Sequence, residues 1–187
     1  MDQILDCDKQ LLLFLNNLGS PLFDSFWMVI TNRLFNIFIY ISLLIYFAYL
    51  KSWKHSVYLF FFTCLLVLFT DQITNLFKIE IGRVRPCHDI EIQQFVRLVK
   101  PTCGGGYSFF SGHASNSFAL ALFFSSVFKY NKLLFKSLFL FASIVAYSRI
   151  YIGVHYPSDI LFGSMFGILS GLGFSLLWGK IQTILSN

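Results

Sequence analysis

The chain has 187 residues, of which 56% are hydrophobic and only 12% charged, and its mean hydropathy is +0.68. Soluble domains carry about 25% charged residues, so this composition excludes an ordinary soluble protein and predicts an integral membrane protein. The net charge of +5 comes from scattered basic residues, so nucleic acid is not expected as a partner. The length allows a single domain over residues 1–187, with about five or six crossings.

Residues 1–32 are predicted to form two short amphipathic helices that lie in the membrane interface, broken at Gly19-Ser20-Pro21. The apolar side chains expected to enter the interface are Leu11, Leu12, Leu15, Leu22, Phe23, Phe26 and Trp27. The alternative is that this region forms a sixth, interrupted crossing.

Residues 33–179 are predicted to form an all-α transmembrane core. Apolar runs indicate five crossings, at residues 34–50, 56–78, 112–128, 133–151 and 160–178. The last run contains Gly163, Gly167 and Gly171, a four-residue repeat of small residues that favours close packing inside the bundle over dimerisation. Trp53 and Trp178 are expected in an aromatic belt at one face of the membrane, and Trp27 at the other.

With five crossings, one side of the membrane carries lysines and no acidic residue. These lysines are Lys51, Lys54, Lys129, Lys132, Lys136 and Lys180. We predict that this side is cytoplasmic, although Lys and Arg together are more numerous on the other side, because Lys78, Arg85 and Arg149 belong to polar clusters there. The clusters cover residues 78–86, 111–113 and 148–159, and they all fall at helix ends on the extracytoplasmic side.

Cations and a helix N-terminus in these clusters suit phosphate. Lys78, Arg85 and Arg149 offer donors to phosphate oxygens. Ser111 is a good N-cap, and Gly112 allows the backbone of the following helix to approach an anion. Taken alone, Lys78 and Arg85 are equally explained as anchors that reach the lipid head groups.

Two histidines provide candidate chemistry. His155 followed by Asp159 predicts a nucleophilic imidazole held by a carboxylate, and His113 could donate a proton to a leaving oxygen. The alternatives are a structural His155–Asp159 bond, an incidental His113 in a capped helix, or a metal site. Metal is disfavoured because three nearby cations would oppose it.

Together the clusters resemble the phosphatidic acid phosphatase type 2 superfamily, whose pattern is Lys-x6-Arg-Pro, Pro-Ser-Gly-His and Ser-Arg-x5-His-x3-Asp. The matching residues are Lys78, Arg85, Pro86, Ser111, Gly112, His113, Ser148, Arg149, Gly153, His155 and Asp159. The one departure is Phe110, where the family has proline.

The resemblance implies hydrolysis of a phosphomonoester or pyrophosphate through a phosphohistidine, without metal or cofactor. His155 would attack, Asp159 would orient it and His113 would protonate the leaving group. Lys78, Arg85, Arg149 and the Ser111–Gly112 backbone would hold the phosphate, while Ser148, Gly153 and Pro86 would support the site.

The expected partners are a phospholipid or isoprenoid-phosphate substrate and the bilayer, and a monomer is favoured. Candidate substrates are undecaprenyl pyrophosphate, phosphatidylglycerol phosphate, phosphatidic acid and lipid A phosphates. The small size favours a bacterial inner membrane, with the active site facing the periplasm. Phosphate transfer between lipids, and a small transporter or channel with an anion site, remain as alternatives.

Cys87 and Cys103 both lie in the outer loop between the first two clusters. In an oxidising compartment they are predicted to pair, which would stabilise the fold by about 3 kcal/mol through loop closure. Two free thiols are the alternative.

Overall fold

The fold is that of a helix bundle, described here from a computed structural model that covers residues 2–51, 53–129 and 131–185. The helices are α1 (Asp2–Asn17), α2 (Pro21–Ile30), α3 (Arg33–Leu50), α4 (Trp53–Ile81), α5 (Gly112–Val127), α6 (Lys132–Tyr151) and α7 (Pro157–Leu185). Two short 3-10 helices, Pro86–His88 and Gln93–Phe95, lie in the outer loop between α4 and α5. The predicted all-α class is therefore confirmed for the described residues.

Local signals set the helix ends close to their predicted positions. The Asn32 side chain accepts hydrogen bonds from the backbone at the start of α3, and Asn131 does the same for α6. Pro157 opens α7, where its missing N–H leaves no bond unsatisfied. The break at Gly19-Ser20 separates α1 from α2 as predicted.

Four helices are long and apolar enough to cross a membrane: α3, α4, α6 and α7. The predicted third crossing, α5, has only 16 residues and is about 24 Å long. It packs against α4, α6 and α7, so most of its surface is protein-covered rather than lipid-facing. By length and composition, the described residues thus contain four candidate crossings, with α5 as the central helix.

Close packing of α5 against α7 depends on the predicted glycine stripe. A Cβ atom at Gly163, Gly167 or Gly171 would lie only 2.6, 2.3 or 2.5 Å from a carbonyl oxygen of α5. These glycines therefore allow two backbones to touch within the bundle, as predicted.

Some predicted surface residues are buried instead. Trp178 is only 2% exposed and packs on Phe62 and Phe123, so it lies in the core and does not belong to a lipid-facing belt. Leu12 is fully buried, and Trp27 stacks on Tyr151 with ring centroids 5.0 Å apart. The reason is that α1 and α2 pack against α6, so part of their apolar face is covered by protein.

The outer loop is held to the amino-terminal helices. The Asn16 side chain donates to the Ile150 and Tyr151 carbonyls and accepts from the Arg97 backbone N–H at 2.7 Å. Arg97 also binds the Asp24 carboxylate at 2.6 Å. Within the loop, Cys87 and Cys103 are joined by a disulfide with Cα atoms 6.0 Å apart. These contacts give the loop that carries Arg85 a fixed path over the bundle.

Candidate active site

The three polar clusters surround one cavity of about 430 Å³ between α3, α4, α5 and the end of α6. Predicted site residues that line it are Lys78, Arg85, Gly112, His113, Arg149 and His155. Asp159 and Ser111 stand directly behind this lining, both with no exposed surface. The sequence prediction that distant segments meet at one site is thus reproduced in the fold.

His155 is held by the start of α7. It lies in the turn between α6 and α7, with its Nδ1 3.2 Å from Asp159 Oδ2, an oxygen that also accepts from the Tyr156 backbone N–H. Asp159 occupies the first turn of α7, where the helix dipole favours a carboxylate. Because Nδ1 faces Asp159, Nε2 is the nitrogen available for reaction.

Burial controls the charge of His155. It lowers the pKa of the imidazole to about 4, and the adjacent Asp159 carboxylate raises the pKa by less than burial lowers it. At neutral pH the side chain is therefore uncharged, which leaves a lone pair on the ring for nucleophilic attack.

The supporting residues shape the turn that presents His155. Ser148 is buried and donates to the Val145 carbonyl at 2.6 Å. Gly153 has φ +79°, and a Cβ atom there would lie 2.8 Å from Val96 and 2.9 Å from the Arg97 carbonyl oxygen. Only glycine fits this position, because the outer loop presses against the turn. Pro86, also buried, begins the first 3-10 helix of that loop.

The amino terminus of α5 faces the same cavity. Ser111 is its N-cap, as predicted, with the side chain accepting from the Ala114 N–H at 3.4 Å. The Ser111 N–H donates to the Asp159 backbone carbonyl at 3.1 Å, which ties the second cluster to the third. His113 is within hydrogen-bonding reach of the Thr31 backbone. The unpaired N–H groups of the first turn provide a site for an anion.

The three cations predicted to bind phosphate have no carboxylate partners in the described part of the chain. Among the described residues, no carboxylate oxygen lies within 4.0 Å of a side-chain nitrogen of Lys78, Arg85 or Arg149. Arg149 donates from Nη1 to Thr31, while its buried Nε has no partner. Burial lowers the pKa of Arg85, against a smaller opposing effect of Asp159. Buried, uncompensated positive charge favours an anionic ligand here.

Arg83 is a functional candidate that the sequence analysis did not select. Its Nη1 donates to Asp159 Oδ1 at 2.9 Å and its Nη2 to Asp8 Oδ2 at 2.6 Å. The guanidinium also lies over the Tyr156 ring, 3.8 Å from the centroid. Asp159 is thus bound on one oxygen by His155 and on the other by Arg83. The available signal was its place in the first cluster, two residues before Arg85.

A metal site was the disfavoured alternative for these residues. Across residues 3–51, 53–129 and 131–183, no three His, Cys, Asp or Glu side chains come together in a way that could hold a metal ion. The donors around the cavity are mainly cationic, and their chemistry fits a phosphate group better than a cation.

A cavity lined by cations and histidines inside a helix bundle of membrane-spanning length defines a membrane-embedded site suited to a phosphate group. Residues 56–182 match the family model of the PAP2 superfamily, and the chain belongs to that superfamily. This membership accounts for the polar clusters and removes the transporter alternative. The protein is a bacterial-type membrane lipid phosphatase, a hydrolase of phosphate esters.

Relatives cover nearly the whole chain. A lipid A 4'-phosphatase of Porphyromonas gingivalis is 36% identical over 172 residues, which are 91% of this chain and 72% of that protein. A lipid A 4'-phosphatase of Bacteroides thetaiotaomicron is 34% identical over 184 residues, 97% of this chain and 81% of that protein.

A solved structure shares the fold. The PAP2-type phosphatidylglycerolphosphate phosphatase of Bacillus subtilis superposes with a TM-score of 0.75, covering 97% of this chain and 89% of that one, at 20% identity. This likeness supports the bundle architecture alone.

Proposed function

We propose that the protein hydrolyses a lipid phosphate in two steps through a phosphohistidine at His155. In the first step Nε2 of His155 bonds to phosphorus as the bond from phosphorus to the lipid oxygen breaks, and His113 gives that oxygen a proton. In the second step water attacks the phosphorus of the phosphohistidine while His113 takes a proton from the water. Inorganic phosphate leaves and both histidines return to their starting states.

The observation that carries this proposal is the orientation of His155. Asp159 holds the imidazole at Nδ1 and is itself bound by Arg83 on its other oxygen, and His113 lines the same cavity. The developing positive charge on His155 is stabilised by the Asp159 carboxylate, as in other hydrolases that use a histidine and a carboxylate together.

The cations supply electrostatic stabilisation. Lys78, Arg85 and Arg149, with the first backbone N–H groups of α5, would hold the three equatorial oxygens of the transferred phosphoryl group. These groups are fixed before the substrate arrives, since Arg149 is anchored on Thr31 and Arg85 donates from Nε to the Gly105 carbonyl at 3.1 Å.

Lipid A carrying a 4'-phosphate is the first candidate substrate. The support is that two relatives of that name match this chain over 91% and 97% of its length. Phosphatidylglycerol phosphate, phosphatidic acid and undecaprenyl pyrophosphate are the comparison substrates. Transfer of the phosphoryl group to a second lipid would use the same phosphohistidine, with a lipid hydroxyl replacing water.

The test is phosphate release by the purified protein from each of these lipids, with EDTA present throughout. We expect the protein to release phosphate from lipid A phosphate, and EDTA should not change the rate of release. His155→Gln and His113→Gln should each lower kcat by at least about a hundredfold. The matched control is His88→Gln, which changes a histidine of the outer loop outside the cavity. Activity lost with EDTA and restored by magnesium would contradict the metal-independent mechanism.

We further propose five crossings, α3 to α7, in the inner membrane, with the cavity open to the periplasm. The lysine-only side at the other ends of these helices supports that orientation. A single cysteine at Lys132, in a variant lacking Cys7 and Cys64, should react with an impermeant thiol reagent only after the cells are opened. Labelling in intact cells would reverse the orientation.

A further inference from the structure

The cavity continues past His113 along a wall of polar side chains between α3, α4 and α5. We call this surface the polar wall. Its members are Asn36, Tyr40, Asp71, Thr74 and Asn116. None of them was assigned a role above, and none belongs to the motifs that hold the phosphate.

Buried atoms of the polar wall lack hydrogen-bond partners. Tyr40 is 7% exposed and Thr74 only 1%, yet neither hydroxyl oxygen has a partner in the described part of the chain. The Oδ1 atom of Asn36 is likewise unpaired. A folded protein normally satisfies such groups, since a buried polar atom without a partner is destabilising. Three of them on one cavity wall are explained if a polar ligand supplies the partners.

A second set of contacts fixes the remaining members in place. Asn116 donates from Nδ2 to Asp71 Oδ1 at 2.8 Å, and the Thr70 hydroxyl donates to Asn116 Oδ1. Gly112 adds to this arrangement, because a Cβ atom there would lie 3.5 Å from Thr74 and 3.9 Å from Asp71. The Asp71 carboxylate is thereby held against the first turn of α5 with its orientation set.

Reaction geometry places the leaving group at this wall. In an in-line displacement the nucleophile and the leaving oxygen lie on opposite sides of phosphorus. With His155 as the nucleophile, the leaving oxygen faces His113. Asn116 follows His113 by one turn of α5 and lines the same cavity. Whatever is attached to the leaving oxygen therefore contacts the polar wall.

The chemistry of the wall selects among leaving groups. The Asp71 carboxylate accepts hydrogen bonds and repels a second phosphate, so it disfavours the diphosphate of an isoprenoid substrate. Hydroxyls and amides can bind either donors or acceptors. The ester oxygens of a plain diacylglycerol only accept hydrogen bonds, so they would leave an acceptor such as Asn36 Oδ1 without a donor. A neutral sugar carries several hydroxyl groups, and an N-acylated amino sugar adds an amide, so it offers both donors and acceptors to the wall.

We propose that the polar wall is a leaving-group subsite that binds the acylated amino-sugar of the substrate. This inference rests on the proposed function and specifies how the site would choose its lipid. Apolar residues Ile37, Val67 and Leu120 line the same cavity and suit acyl chains carried by the sugar.

The experiment measures the ratio of kcat/KM for two substrates in the same mixed micelles. One is lipid A with a 4'-phosphate, and the other is dioleoyl phosphatidic acid, which has no sugar. Asp71→Asn keeps the acceptor for Asn116 and removes the charge, so it should lower the ratio by at least about tenfold. Tyr40→Phe should lower it several-fold, whereas Tyr46→Phe, on the same helix but outside the cavity, should leave it unchanged.

The outcomes separate the subsite from the function. If both variants lower kcat/KM equally for the two lipids, or change neither, the polar wall does not bind the sugar and the inference is wrong. If the wild-type protein releases phosphate from no lipid, the proposed function itself fails. If it hydrolyses phosphatidic acid at least as well as lipid A phosphate, the selection by sugar is refuted while the phosphatase chemistry stands.

Discussion

Replacing Arg83 with methionine should damage both the stability and the chemistry of the protein. Arg83 joins α1 to the carboxylate that we propose orients His155, since it binds Asp8 and Asp159 with separate guanidinium nitrogens. It also donates to the Ser158 hydroxyl at 2.6 Å. Methionine is also unbranched and similarly long, and it removes all three polar contacts together with the contact of the guanidinium with the Tyr156 ring.

The size of the effect follows from burial. The side chain of Asp159 is 0% exposed, that of Asp8 9% and that of Arg83 17%. Removing one partner of a buried ion pair costs about 3–5 kcal/mol, and the partial exposure of Arg83 places this case near about 3 kcal/mol. A small displacement of a catalytic group can lower a rate by about a hundredfold. We therefore expect kcat to fall by roughly that factor as Asp159 turns away from His155.

Arg97→Met is the matched control. Arg97 also leaves the outer loop to bind a carboxylate of an amino-terminal helix, Asp24, but it does not contact the His155–Asp159 pair. Unfolding in detergent and lipid phosphate hydrolysis would be measured for both variants. Both should unfold at lower temperature, and only Arg83→Met should lose kcat in its folded fraction.

Two results would refute the reasoning. Equal kcat values for the folded Arg83 and Arg97 variants would show that Arg83 does not position Asp159. Full activity of Arg83→Met together with wild-type stability would show that the ion pairs of Arg83 with Asp8 and Asp159 contribute to neither property.

Three further outcomes follow from the structure. Burial lowers the pKa of His155 from 6.5 to about 4, so the unfolded state binds the proton at a higher pH than the folded state does. The free energy of unfolding should therefore fall by at most about 3 kcal/mol as the pH drops from 6.5 to about 4. His155→Gln should flatten this fall. Cys103→Ser should lower the free energy of unfolding by about 3 kcal/mol, and a reducing agent should then have no further effect on unfolding. Gly167→Ala should lower the free energy of unfolding by about 1–3 kcal/mol, because its Cβ would meet a carbonyl of α5. Gly173→Ala, with open space around it, should leave the free energy of unfolding unchanged or raise it. Equal changes in the two variants would contradict the packing of α7 on α5.

Much of the architecture could be read from the sequence because its signals are local. Long apolar runs, the caps at Asn32 and Asn131 and the proline at 157 set the helix bounds. The contact of His155 with Asp159 was also predictable, because the two residues are four positions apart across one turn and a helix start.

The role of Arg83 could not be predicted from local sequence signals. It lies two residues from Arg85 in an irregular segment, and no periodicity distinguishes the arginine that binds Asp159 from the one that lines the cavity. Only the tertiary path of the outer loop separates them. The position of Trp178 in the core is similar, since an apolar helix gives no sign of which face meets protein and which meets lipid.

The polar wall required the fold as well. Asn36 and Tyr40 lie on α3 and Asn116 on α5, two helices that are far apart in sequence. Asn36 and Tyr40 are each flanked by apolar residues, and Asn116 stands between two serines, so none of the three signals a shared site. Asp71 and Lys78 are seven residues apart and share a face of α4, but the sequence does not show which side chains of α3 and α5 meet that face.

The phosphohistidine can be tested most directly by oxygen exchange between inorganic phosphate and water labelled with oxygen-18, with no lipid present. Reversible formation of a phosphoenzyme releases one phosphate oxygen as water, so the wild-type protein should exchange label and His155→Gln should not. A wild-type protein that hydrolyses its lipid phosphate yet exchanges no oxygen would contradict attack by His155 and favour direct attack by water.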